Sequence, residues 1–134
     1  MLKVVEFLDI EAVEKLRFKY LNCGLDYSDD FSLHYALFDG EILCGTGRLF
    51  RKKANPKEIV IDKISLTSHN ETHFEMIFRS LLLKCFYINC ERVFAKAERQ
   101  PVSFYQKFGL IQEGKYFCAE LDKIEFPKQC KCAD

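Results

Sequence analysis

The sequence has no excess charge of either sign, because 20 lysine and arginine residues balance 20 aspartate and glutamate residues. A chain without net basic charge creates no field to hold a polyphosphate backbone, so nucleic acid is not an expected partner. The sequence also lacks an apolar run of membrane-spanning length, and residues 1–7 contain Lys3 and Glu6, unlike a secretory signal. We therefore expect a cytoplasmic protein that has no membrane partner.

The seven cysteines lack the spacing of a disulfide framework. Their number is odd and no C-x-x-C pair occurs, which favours free thiols in a reducing compartment. Cys130 and Cys132 form a C-x-C pair, but no second cysteine or histidine pair follows it to complete a metal site. We expect no bound metal, and only the number of cysteines supports a thiol-based redox or metal protein.

Hydrophobic periodicity predicts one α+β domain over residues 1–134, a length that can bury a core. Strand patterns occur at 2–7, 33–38, 42–50, 59–66, 92–97 and 115–121. Helical patterns begin at residue 10, after Ser68 and at Pro101, and Asp39-Gly40 predicts a tight hairpin. A right-handed crossover through the long second helix would make the strands on either side of it parallel. The expected sheet is mixed, mostly antiparallel and flanked by helices.

Two motifs in this order are similar to those of the GNAT superfamily of acyl-CoA N-acyltransferases. The segment 104–110, F-Y-Q-K-F-G-L, resembles an F-Y-x-K-x-G-F segment of many such enzymes. The segment 38–49 resembles the D-G-x-x-V-G-x-x-R hairpin of small bacterial acetyltransferases. The resemblance covers nearly the whole chain. It implies transfer of an acyl group from acetyl-CoA, as co-substrate, to a primary amine of a small molecule or peptide.

The resemblance also implies a site where the central strand parts from its parallel neighbour. Backbone groups of Ile64, Ser65 and Leu66 would bind the pantetheine arm of the co-substrate. Asp62 corresponds to an acidic position that relays protons from the amine, although a carboxylate paired with Lys63 or a cross-strand cation is an alternative. Tyr105 corresponds to the general acid for the thiolate, the alternative being a packed ring with a bonded hydroxyl.

The pyrophosphate loop of the family, R/Q-x-x-G-x-G/A, would fall on a segment without glycine or arginine. In the family this loop exposes backbone N–H groups at a helix N-terminus, where a phosphate can approach closely. The matching residues are Asn70, Glu71, Thr72, His73, Phe74 and Glu75. The side chain of His73 and the charge of Glu75 would hinder a phosphate at this position. The loop is therefore a degenerate form of the phosphate site.

Two capping boxes overlap this segment, Ser68-x-x-Glu71 and Thr72-x-x-Glu75. If Thr72 caps the helix, Glu75 competes for the amides that a pyrophosphate would use. Alternatively, a displaced co-substrate is held by strand backbone and by residues such as Lys96 or Arg99.

Three further points stay open in the sequence. The chain is either an N-acetyltransferase or a catalytically silent binding module of the same fold. The acidic segment Asp26, Asp29 and Asp30 either attracts a cationic amine or is a solvated loop. Exposed edge strands would permit a homodimer, but nothing specifies its face.

Overall fold

The structure, a computed structural model, describes residues 1–127. Its strands are β1 (Leu2–Glu6), β2 (Leu33–Asp39), β3 (Ile42–Arg51), β4 (Glu58–Leu66), β5 (Arg92–Lys96), β6 (Ile111–Glu113) and β7 (Tyr116–Glu120). Its α-helices are α1 (Ile10–Tyr20), α2 (Glu71–Tyr87) and α3 (Val102–Gln106), and 3₁₀ turns occupy Tyr27–Phe31 and Leu121–Lys123. The C-x-C pair at 130–132 lies outside the described residues.

The described strands form one sheet in the order β1-β2-β3-β4-β5-β7-β6. β4 and β5 are parallel and are connected through α2, whereas the other neighbouring strands are antiparallel. The predicted α+β fold with a mixed, mostly antiparallel sheet is confirmed. β6 was not predicted from the sequence; it is a three-residue edge strand whose side chains are all exposed, and it turns into β7 at Gly114 (φ 61°).

The long helix α2 packs its apolar stripe on the sheet, as its three- and four-residue spacing predicts. Two glycines of β3 allow this close packing, and a Cβ at Gly47 would lie only 2.8 Å from Cγ2 of Ile77. The buried residues of the helix are Phe74, Ile77, Phe78, Leu81, Leu82 and Cys85. Within residues 1–127, no helix has the length and apolar character needed to cross a membrane.

The first helix, α1, packs on β3 and β4 through Val13 and Leu16, which are buried. The hydroxyl of Ser65 donates a hydrogen bond to the carbonyl of Leu16 over 3.4 Å. Because neighbouring side chains on a strand point to opposite faces, Ile64 faces the other side of β4. The two faces of the central strand therefore meet different helices.

Candidate functional site

The central strand β4 parts from β5 in its second half. Backbone pairing between the two strands runs from Glu58 opposite Arg92 to Ile61 opposite Ala95, and β4 then continues without this neighbour to Leu66. Antiparallel pairing with β3 continues on the other edge. Beyond Ile61 the edge of β4 that faces β5 therefore pairs with no other strand of the described chain, although backbone groups of Lys63 and Ile64 donate hydrogen bonds to the side chain of Glu98.

A β-bulge marks the point of parting. The β3–β4 register shifts between Thr46 and Arg48, so that an extra residue of β4 lies opposite β3. Lys63 has a φ of 55° there, which is uncommon for a residue with a side chain. Bulges bend a strand and re-aim its side chains, and they occur often next to functional sites. The bulge thus directs the free part of β4 away from β5.

A cavity of about 300 Å³ lies where the strands part. This volume is at the lower end of the range for small-molecule sites. Ile64 and Leu66 line it from β4, Phe74 from α2, and Glu98 from the segment after β5. Ser65, which lies between them, is not among the lining residues, and its side chain is fully buried towards α1. A largely apolar slot, lined by the two carboxylates of Glu71 and Glu98, therefore borders the free strand edge.

The N-terminus of α2 lies at the open end of the slot, and Asn70 caps it. The Asn70 side-chain oxygen accepts a hydrogen bond from the backbone N–H of His73 over 3.1 Å. Thr72, which a capping box offered as one possible cap, does not cap this helix, because α2 begins earlier, at Glu71, and an asparagine is a stronger cap than a threonine. The His73 amide is consequently occupied by the protein itself.

Glu75 turns away from the slot. Its carboxylate accepts hydrogen bonds from Arg79 over 2.8 Å and from Lys107 over 2.7 Å. Burial acts to raise the pKa of Glu75, but these two cations outweigh burial and lower it. The side chain that enters the lining of the slot is that of Glu71, which brings a formal negative charge to the phosphate end. The negative charge that would repel a phosphate is thus that of Glu71 and not, as the sequence predicted, that of Glu75.

Asp62 is held by a cross-strand cation. Nε of Arg48 donates to one oxygen of Asp62 over 2.6 Å, and Nη2 donates to the other over 3.1 Å. The Arg48 side chain is 2% exposed, and its hydrogen bonds to Asp62 and Asp26 outweigh burial and raise its pKa. Pairing with a cross-strand cation was one of the two roles that the sequence left open for Asp62, and the proton relay was the other. A carboxylate bonded at both oxygens is poorly placed to accept a proton from an amine, and the relay role of Asp62 stays a prediction.

The acidic segment before β2 belongs to the same network. Arg48 also donates to Asp26 over 2.6 Å, and Arg17 donates to Asp29 over 2.8 Å. The side chain of Asp29 is 3% exposed. Burial acts to raise its pKa, but the hydrogen bond from Arg17 is among the interactions that lower it overall. The expectation of a solvated loop is therefore wrong for Asp29, although Asp30 is exposed.

Glu98 is the site residue that the sequence analysis missed. It is partly buried, follows β5 and lines the slot. Burial and the charge of Asp62 raise the pKa of Glu98 to about 7, although hydrogen bonds from the Ile64 and Lys63 backbone act in the opposite direction. A carboxylate that titrates near neutral pH in a cavity is well suited to accept a proton. The sequence carried no signal for it, because its burial arises from the return of β5 beside β4.

Tyr105 lies behind Glu98. Its hydroxyl accepts a hydrogen bond from the backbone N–H of Glu98 over 3.2 Å, and its ring stacks on Phe117 with centroids 4.3 Å apart. The residue is 1% exposed, and burial raises its pKa to about 12. The tyrosine therefore remains protonated beside the slot. Its role as a general acid stays a prediction.

Lys96 lies outside the slot and lines a second cavity of about 260 Å³. Lys63, Arg99 and Glu98 line the same cavity. Glu98 and Arg99 also line the slot, so the two cavities adjoin at these residues. The predicted co-substrate residues are thus divided. The residues Ile64, Leu66, Asn70, Glu71 and Phe74 line the slot, whereas its lining does not include Ser65, Thr72, His73, Glu75 or Lys96.

The parted strands, the bulge and the order of elements define the GNAT acyl-CoA N-acyltransferase fold, and comparison with solved structures bears this out. An IAA acetyltransferase from Bacillus cereus superposes with a TM-score of 0.70 at 16% identity, covering 90% of this chain and 100% of its own. ElaA from Escherichia coli gives 0.70 at 19% identity, covering 88% and 97%. No family model matches the sequence, and no match was found among curated proteins.

A third similar structure is N-acetylglutamate synthase from Neisseria gonorrhoeae, complexed with coenzyme A and L-arginine. It superposes with a TM-score of 0.69 at 13% identity, and the match covers 90% of this chain and 33% of the synthase. Identities this low establish the fold. The chain accordingly has the GNAT fold predicted from its two motifs.

Proposed function

We propose that this protein transfers an acyl group from acyl-CoA to a primary amine by direct attack. The observation that carries the proposal is the free edge of β4 beside an apolar slot, bordered by a carboxylate that titrates near pH 7. A pantetheine arm is an extended chain with two amides, and it can pair with a free strand edge as another strand would. Backbone groups of Ile64, Ser65 and Leu66 would make these bonds.

In this mechanism Glu98, rather than Asp62, accepts the proton of the amine. At neutral pH a substantial fraction of Glu98 is ionised, and it lines both the slot and the adjoining cavity. The amine nitrogen attacks the thioester carbonyl carbon, forming a C–N bond, and the C–S bond then breaks. The leaving thiolate takes a proton, for which the hydroxyl of Tyr105 is the candidate. General acid–base groups of this kind contribute about 10²–10⁴-fold each.

The residues fit the arm of the co-substrate better than its phosphates. The His73 amide is already bonded to Asn70, and the side chain of Glu71 adds a like charge at that end. We therefore expect most of the binding energy to come from the pantetheine and acyl portions. S-acetylpantetheine, which lacks the nucleotide, should approach acetyl-CoA in kcat/KM to within about tenfold, a difference of 1.4 kcal/mol.

The test is thermal unfolding with and without acetyl-CoA, followed by detection of acetylated amines by mass spectrometry. A ligand at a hundredfold its dissociation constant stabilises a protein by about 2.7 kcal/mol, which shifts the midpoint measurably. The variant Glu98→Gln should retain the thermal shift caused by acetyl-CoA and lose turnover. The variant Asp62→Asn tests the other carboxylate in the same two measurements. Absence of any shift at millimolar acetyl-CoA would refute the proposal and leave a non-catalytic module of the same fold.

A further inference from the structure

The second cavity is positioned to receive the acceptor. It adjoins the acyl slot at Glu98, so a molecule bound there would present an amine to the same carboxylate from the opposite side. Lys63 and Lys96 line it near the closed end of the parted strands, where β4–β5 pairing ends at Ile61. The open end, towards Leu66 and α2, belongs to the slot. The two cavities thus separate donor and acceptor around one proton-accepting group.

Positive charge dominates the lining of this cavity. Three cationic side chains, those of Lys63, Lys96 and Arg99, surround one carboxylate, that of Glu98. Glu98 is only partly ionised at neutral pH, so the lining carries a net charge of about two or more. Like charges gathered in a concave, partly desolvated surface repel one another unless an anion is bound.

These cations are not neutralised by the protein. Within residues 1–127, none of the three side chains forms an ion pair, and Arg99 makes one long hydrogen bond, from Nη2 to the carbonyl of Tyr20 over 3.4 Å. Arg17, Arg48, Lys52, Arg79 and Lys107 are among the cations of the described chain that do have carboxylate partners. Three cations without an ion pair thus line one cavity in a chain of zero net charge.

We propose that the acceptor is an amine that carries its own anionic group, a carboxylate or a phosphate. Lys63, Lys96 and Arg99 bind the anion, and the amine lies against Glu98. This inference rests on the proposed transferase function, because it assigns the substrate class of that site. Lys63 and Lys96 do not line the slot, and an arm that follows β4 from Ile64 to Leu66 leads away from them towards α2, whereas Arg99 lines both cavities.

Binding is tested first, without turnover, using 2-aminoethyl phosphate against ethanolamine, and β-alanine against β-alaninamide, at constant ionic strength. The anionic member of each pair should raise the thermal midpoint of the wild-type protein more than its neutral partner. The double variant K96Q/R99Q should lose this difference. The control variant K3Q/K57Q removes two positive charges at exposed positions away from the cavity and should keep it.

Turnover with acetyl-CoA is tested on the same amines. Because hydrogen bonds to charged groups are strong, we expect the anionic amine to be preferred by at least about tenfold in kcat/KM, and the double variant to abolish the preference. Equal use or equal binding of the neutral partner would overturn the inference while leaving acetyl transfer established. Loss of acetyl-CoA stabilisation in K96Q/R99Q, with the anionic preference retained, would also overturn it, because the cations would then serve the co-substrate. If no amine is acetylated but 2-aminoethyl phosphate still binds through these cations, the transferase function fails and the anion site stands.

Discussion

Replacement of Glu98 by glutamine should make the protein more stable above neutral pH. The pKa of Glu98 is about 7, against 4.5 for an ordinary glutamate, so the folded state binds its proton more tightly than the unfolded chain. Stability attributable to this group is present at low pH and is lost as the pH rises through this interval. The full shift corresponds to roughly 3 kcal/mol, most of which disappears between pH 5 and pH 8.

The assay is urea unfolding of the wild type and Glu98→Gln at half-unit intervals from pH 5 to pH 8. The difference between the two free energies of unfolding isolates the contribution of Glu98 to the pH dependence. The other titrating groups, including the buried His34, are present in both proteins. Glu41→Gln, in an exposed hairpin turn, removes the same formal charge and should leave the pH profile unchanged. A wild-type-minus-variant difference that is constant across this range would refute the assignment of Glu98 as a buried carboxylate of raised pKa.

Four further substitutions test the surrounding structure. Arg48→Met should destabilise the fold by about 3–5 kcal/mol in denaturant unfolding, because it leaves three acidic neighbours without their shared cation. Asn70→Gly should cost only a few tenths of a kcal/mol but tighten acetyl-CoA binding in calorimetry, because it frees the His73 amide; unchanged affinity would show that this amide does not limit binding. Gly109→Ala should destabilise the fold strongly, since the φ of Gly109 is 85° and a Cβ there would lie 2.5 Å from a backbone carbonyl oxygen. Gly114→Ala should cost only about 1–2 kcal/mol, because Gly114 has a φ of 61° but open space around it. Equal losses of stability in the two variants would contradict the steric argument.

Local patterns were sufficient to predict most of the fold. The Asp39-Gly40 signal specified the β2–β3 hairpin, and Gly40 has the positive φ, 61°, that the turn requires. The apolar stripe of α2 predicted its buried face, and the crossover rule predicted that β4 and β5 are parallel. The sequence did not predict β6, because its three residues are all exposed and show no alternation between buried and exposed positions. Its existence depends on hydrogen bonding to β7.

The site was less predictable because it depends on charges brought together from distant parts of the chain. Arg48 is 22 residues from Asp26 and 14 from Asp62, and nothing in their spacing distinguishes them from solvated surface residues. For the segment before β2 the sequence accordingly left open both attraction of a cationic amine and a solvated loop. Glu98 is a stronger example, since its raised pKa requires both its burial and the charge of Asp62. Pairing and burial of this kind are properties of the folded chain.

The two interpretations of Asp62, a paired carboxylate and a group that assists proton transfer, are compatible. Arg48 binds both oxygens of the carboxylate, which makes Asp62 a fixed charge rather than a mobile proton acceptor. That charge is nevertheless the second cause, after burial, of the raised pKa of Glu98. Asp62 can therefore influence proton transfer without taking part in it, by keeping a neighbouring carboxylate basic enough to accept a proton near pH 7. On this view the acidic position implied by the GNAT resemblance acts on the reaction through Glu98.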